Sequence, residues 1–190
     1  RPLFIAHQRR DEYARYYAKI WCFPTNIDSL GKKKASECCI EDTLLPAEKN
    51  DVLQLDEMWS FVWCRANWVW IWFALCTRTR QIVAYVTGCR GVTSCTKLHG
   101  RIPEQYRGCQ SVSDFWSAYA EVFDPERHAQ VGKHTGLTNY VERHNGIVRQ
   151  RIARFSRKTL RYSRCDEMHD AVIKLWVCEH NKRITELYII

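Results

Sequence analysis

Trp68-Val69-Trp70-Ile71-Trp72-Phe73 is apolar at every position. A β-strand sends successive side chains to opposite faces, so a strand with this sequence has two apolar faces and must be covered on both. Helices packed above and below a sheet give a three-layer α/β/α architecture. The longest apolar run, Trp68 to Cys76, is far shorter than the roughly 20 residues that a helix needs to cross a bilayer, so a buried strand is its reading and no membrane segment is expected.

The flanking sequence extends this sheet. Val52 to Asp56 reads as a short buried strand that ends at Asp56. Ser60 to Arg65 reads as a second, turning through Arg65-Ala66-Asn67 into Trp68. Gln81 to Gly88 and Cys109 to Asp114 follow, and His128 to Gly132 supplies an edge strand. Between them, Ser94 to Arg101 and Phe115 to Phe123 have helical character, the latter closed by Asp124-Pro125. Asn139 is placed to start a long basic helix reaching about Phe155. Cys165 to Asn181 carries Met168, Val172, Leu175 and Trp176 on one helical face.

Upstream, Asp11 to Ile20 has helical spacing of Tyr13, Tyr16, Tyr17 and Ile20, Pro24 breaks it, and Thr25 to Lys34 reads as a second short helix. The division expected is a helical segment over 1–36, a polar linker over 37–50 and an α/β domain over 51–190. The first ten residues are no secretory signal.

A net charge of +8 favours a polyanionic partner, most simply nucleic acid. The basic residues are concentrated. Arg143, Arg149, Arg151, Arg154, Arg157, Lys158, Arg161 and Arg164 fall in one stretch, and no acid occurs from Arg143 to Arg164. Solvated helix faces usually mix signs; a single-sign stretch points to phosphate contact. The ten Cys include no Cys-x-x-Cys, so reduced thiols in a cytoplasmic protein are expected instead of zinc or disulfides.

Three acids stand out against this basic background. Asp56 and Asp114 each end an apolar run, and Glu142 opens the basic helix. Carboxylates held about 5 Å apart repel by about 3 kcal/mol at an effective dielectric of 20. Such a cluster persists when cations neutralise it or protons are taken up. Magnesium or manganese suits hard carboxylate oxygens, and two such ions clamp the attacking and leaving oxygens of a phosphodiester displacement. Each acid also has a structural reading: a turn aspartate at Asp56, an N-cap at Asp114 and a first-turn glutamate favoured by the helix dipole at Glu142. Strand alternation lets only one of Asp56 and Glu57 face a shared site. Asn145 and Arg149 follow Glu142 by one and two helical turns and leave the same face.

Several segments together resemble the insertion-sequence-one family of bacterial transposases: Leu44 to Glu48, Leu55 to Val62, Thr77 to Tyr85, Ser113 to Trp116, Val131 to Lys133, Val141 to Asn145 and Arg149 to Phe155. They occur in order, and the resemblance runs from about Lys32 to Asn181. It implies a ribonuclease-H-like α/β domain with an Asp-Asp-Glu site at Asp56, Asp114 and Glu142, binding two Mg2+ or Mn2+ ions. It implies metal-dependent cleavage at element ends and strand transfer into target DNA. Partners would be double-stranded DNA (terminal inverted repeats and target) and a second copy of the chain, in the bacterial cytoplasm at the nucleoid. Arg143, Asn145, Arg149, Arg151, Arg154, Arg157, Lys158 and Arg161 become candidate DNA contacts. Members of the family usually carry a helix–turn–helix upstream; here Pro24, Asp28 and Gly31 depart from that pattern. The alternatives are a truncated, non-catalytic DNA-binding relative that inhibits transposition and a ribonuclease-H-fold nuclease.

Overall fold

The computed structural model describes residues 29–156 and 159–189. The expected helix over Asp11 to Ile20, and with it any helix–turn–helix, lies outside the described residues. The first described element is helix α1 (Ser29–Glu37), which packs against the last.

Five strands form one mixed sheet: β1 (Val52–Phe61), β2 (Trp68–Cys76), β3 (Ile82–Gly88), β4 (Gln110–Ser113) and β5 (His128–Gln130). Their order is β3-β2-β1-β4-β5. The β1–β2 and β2–β3 pairs are antiparallel, and β1–β4 and β4–β5 are parallel. This is the ribonuclease-H-like arrangement. The helices are α2 (Val92–Arg101), α3 (Glu104–Arg107), α4 (Ser117–Val122), α5 (Asn139–Arg151) and α6 (Asp166–Ile189).

Strand β2 has two buried faces, as its sequence requires. Trp72, Ala74 and Cys76 join Leu53, Leu55, Leu98 and Tyr119 in a core beneath α2 and α4. Ile71, Phe73 and Leu75 join Met58, Val141, Val148, Val172 and Trp176 in a second core beneath α5 and α6. Three layers result.

Several boundaries differ from the sequence reading: the last helix runs on from Asn181 to Ile189, the helix read from Phe115 begins at Ser117, and two further differences bear on the site. Val52 to Phe61 is one continuous strand, not two, so Asp56 lies inside a strand instead of ending one. The charge of Glu57 reads as a break, yet its carboxylate is buried against Arg90, 2.7 Å away, and accepts the Tyr119 hydroxyl at 2.9 Å. The basic helix stops at Arg151, with Ile152 extended and Ala153–Phe155 forming a 3-10 turn. Leaving the helix there buries Ile152 and Phe155 in the α5/α6 core.

The segment before β1 is fastened to the sheet. Gln81 accepts the Leu45 N–H at 2.9 Å and donates to the Thr43 carbonyl at 2.9 Å. Arg78 grips Asp51 through two bonds of 2.7 and 2.8 Å. Asn181 of α6 exchanges two hydrogen bonds with the backbone of Ile82, tying that helix to the edge strand. The nine cysteines among the described residues are free thiols, and no helix of those residues is long and apolar enough to cross a membrane.

Candidate active site

The parallel pairing of β1 with β4 runs Val52↔Gln110, Leu53↔Ser111, Gln54↔Val112. Continued two residues, it sets Asp56 opposite Asp114, where β4 has ended and the strands part. Crevices beyond the carboxyl ends of parallel strands are the usual ligand sites of open α/β sheets. Alternation along β1 puts Asp56 on the α5/α6 face with Gln54 and Met58, and Glu57 on the other face with Arg90. The two neighbouring acids are therefore separated by the sheet.

Helix α5 carries Glu142 over that face. The first N–H groups of a helix have no intrahelical acceptor. Here the Gln54 side-chain oxygen accepts those of Tyr140 (2.9 Å) and Val141 (3.0 Å). The same strand thus supplies Asp56 and the clamp that seats α5. A buried glutamine two residues before Asp56, in an apolar strand, was the available sequence signal for this contact. One turn after Glu142, Asn145 donates to Asp56 Oδ2 at 2.7 Å, while its own Oδ1 is buried without a partner.

Asp56 is held at an electrostatic cost. Burial pushes its carboxyl up to about 7, and the charges of Glu57, Asp114 and Glu142 add to the rise. Among the described residues it makes no ion pair. A buried acid repelled by three others, beside an orphaned amide oxygen, is a donor set suited to a hard divalent cation. The set is not a closed cage: among the described residues no group of three His, Cys, Asp or Glu side chains is gathered tightly enough to ligate an ion as it stands. Asp114 Oδ1 accepts the Trp116 N–H at 3.0 Å in a turn and is not the N-cap expected of it, since α4 begins at Ser117 with Trp116 in the cap position and no side-chain cap bond, and Glu142 accepts the Thr138 hydroxyl at 2.7 Å.

The candidate DNA contacts divide by placement. Arg143 and Arg161 are exposed and Arg151 is half-buried. Asn145 and Arg154 are buried. Arg149 donates to the carbonyls of Trp59 (2.9 Å) and Phe155 (3.2 Å), joining α5 to β1 and to the turn after it. Arg157 and Lys158 lie outside the described residues. His144 faces inward, edge-on to Phe73 and His180, and burial holds it well below the usual imidazole range. A neutral packing role fits it.

On the opposite face, Arg90 lies between the rings of Trp70 (4.5 Å) and Trp116 (4.0 Å) while paired with Glu57. Sequence reading missed this group, because its members come from four separate segments. It fixes Trp116, and with it the turn that holds Asp114.

Comparison with known proteins gives a consistent picture. A sequence profile for the family described as IS1 transposase matches residues 52–183. The chain is 35% identical over 129 residues to the insertion element iso-IS1n protein InsB of Shigella dysenteriae, covering 68% of this chain and 95% of that protein. It is 29% identical over 120 residues to the insertion element IS1 protein InsB of Shigella flexneri, covering 63% and 88%. An InsB protein of Escherichia coli K12 is 28% identical over 120 residues, covering 63% and 70%.

Proposed function

The chain belongs to the IS1 transposase family, and on that premise we propose that it cleaves DNA at element ends and joins the freed 3′ ends to target DNA at one site built on Asp56, Asp114 and Glu142. The observation that carries this reading is the buried Asp56 carboxyl, which the charges of Glu57, Asp114 and Glu142 reach.

Bound magnesium or manganese, two ions to a site, supplies activation of water and then of the sugar hydroxyl, and neutralises charge on the phosphate. Asp56 and Asp114 would be the ligands on the sheet, and Glu142 the ligand delivered by α5. Gln54 seats α5, and Asn145 fixes the rotation of the Asp56 carboxyl. Arg149 holds α5 to β1. Arg143, Arg151 and Arg161, with Arg157 and Lys158, offer charge to the DNA backbone, which makes affinity steeply salt-dependent. No covalent protein–DNA intermediate is required, so the tyrosines serve packing or DNA contact. Two ends must be joined, so the working unit is a homodimer, acting at the nucleoid.

Single-turnover cleavage and joining on labelled oligonucleotides tests this. Wild type should cleave and join with magnesium or manganese. Asp56→Asn, Asp114→Asn and Glu142→Gln should each abolish both steps while duplex binding persists. Cleavage without joining would indicate a nuclease. Binding without cleavage would indicate the non-catalytic DNA-binding relative.

A further inference from the structure

The end of the β1–β2 hairpin is built unlike the rest of the surface. Trp63 is 60% exposed and Trp68 is 67% exposed at the two sides of the turn, and Leu160, on the segment docked against the turn, is 94% exposed. Large apolar groups scattered singly on a surface mean little, but a group of them marks an interaction site.

The turn is also rigid. Trp63 has φ 66, a left-handed conformation that bulky residues rarely adopt. Its N–H donates to the Ser163 carbonyl at 2.7 Å, Val62 bridges to Ser163, and Phe61 meets Tyr162 with ring centroids 6.0 Å apart. Backbone in this region persists where surrounding contacts fix it, and it concentrates at functional positions. The contacts that fix it here hold an indole out into solvent.

Charge selects the occupant. No acid occurs from Met58 to Pro103 or from Arg143 to Arg164, and Arg65, Arg161 and Arg164 are exposed on the turn and its docked segment. The acids that bound these stretches are Glu57 and Glu104 for the first, and Glu142 and Asp166 for the second. Aromatic rings beside exposed cations are the composition of surfaces that bind single-stranded nucleic acid, where bases stack on rings and cations follow the phosphates. Self-association is less well served. A stable interface buries about 800 Å² per partner, whereas two indoles supply roughly 150–250 Å² each.

We propose that the β1–β2 turn and the 159–164 segment form a second DNA-binding surface, for a strand with unstacked bases, in which Trp63 and Trp68 take bases and Arg161 and Arg164 take phosphates. Asp56 to Phe61 is five residues of strand, roughly 17 Å at about 3.3 Å per residue, before the chain enters the turn. The surface is thus removed from the carboxylates. It rests on the strand-transfer reading only for the identity of the polymer.

The test is fluorescence anisotropy with a labelled oligothymidine of about 12 nucleotides, within the usual site sizes, beside a blunt duplex. EDTA is present, so neither metal nor cleavage enters. Trp63→Ala and Trp68→Ala should each weaken oligothymidine binding roughly 5- to 100-fold and leave the blunt duplex within about twofold. Arg161→Ala should reduce the salt slope by about 0.7. Trp63→Gly removes the ring and suits the left-handed backbone, so it should melt no lower than wild type and still lose oligothymidine. Unchanged oligothymidine affinity in Trp63→Gly overturns the proposal. So does conversion of a dimer to monomers by that substitution, which would assign the surface to a second copy. If wild type binds in this way yet cleaves nothing, the enzymatic reading fails and this surface stands.

Discussion

Asp56→Asn should make the metal-free protein more stable while removing its response to metal. The folded-state carboxyl sits at about 7, well above the ordinary aspartate range, because burial and then neighbouring acids disfavour its charge. A group whose folded pKa is raised contributes stability that is fully present below its unfolded pKa and is lost as pH rises through the folded one. At pH 8 the loss is complete. Holding the carboxylate charged in that place costs at most about 4 kcal/mol. Asparagine keeps the volume and an oxygen to accept from Asn145 Nδ2, now 2.7 Å from Asp56. Recovery of about half, 2 kcal/mol, would raise Tm by roughly 4–8 °C in a chain of this length. Differential scanning calorimetry in EDTA at pH 8 and pH 4 measures it. The gap between variant and wild type should shrink to below about 1 kcal/mol at pH 4, where both carry a neutral group. Millimolar manganese at pH 8 should stabilise wild type and leave the variant unmoved. A variant less stable than wild type at pH 8, or a gap independent of pH, would show that Asp56 carries no strained charge and would refute the reasoning.

Gln54→Leu should destabilise the protein by roughly 1–3 kcal/mol, since a part-buried and a buried N–H group of α5 lose their acceptor; urea denaturation reads the loss, and a neutral result would mean that α5 is seated by packing alone. Burial, and then Arg154, hold His169 down to about 4, and burial holds His180 down to about 4. Their folded pKa values lie below the unfolded one near 6.5, so their contribution is complete above about 6.5 and is lost as pH falls through 4, by about 3 kcal/mol each. His180→Gln should flatten that part of the stability profile while its amide donates to the Arg80 carbonyl that His180 now reaches at 2.9 Å. Arg149→Ala should cost about 2–3 kcal/mol because two carbonyls lose a charged donor, with Arg149→Lys recovering part in the same melt; an unchanged Tm would return Arg149 to a purely DNA-facing role.

The layered fold was legible because β2 is apolar on both faces, and hydrophobic periodicity reports burial directly. Helix α6 was legible for the same reason, from Met168, Val172, Leu175 and Trp176. The continuity of β1 was not, since Glu57 looks like a break until Arg90 and Tyr119 are found beside it, and those partners lie 33 and 62 residues away. Nor was the end of α5, which depends on where Ile152 and Phe155 can be buried. At the site, alternation separated Asp56 from Glu57 correctly. The inward roles of Asn145 and Arg149 stayed hidden because spacing on a helix gives the face a residue leaves, but not what that face meets. Gln54 was hidden because a buried polar side chain acquires meaning only from its partner.

The most direct test of the central claim is to diffuse manganese into crystals of the protein and locate it by anomalous scattering. The account predicts ions bound by Asp56 and Asp114, with Glu142 rotated from Thr138 to join them, and no such density in the Asp56→Asn variant. Manganese found only elsewhere, or Asp56 still bare with Glu142 still on Thr138 at millimolar metal, would contradict it.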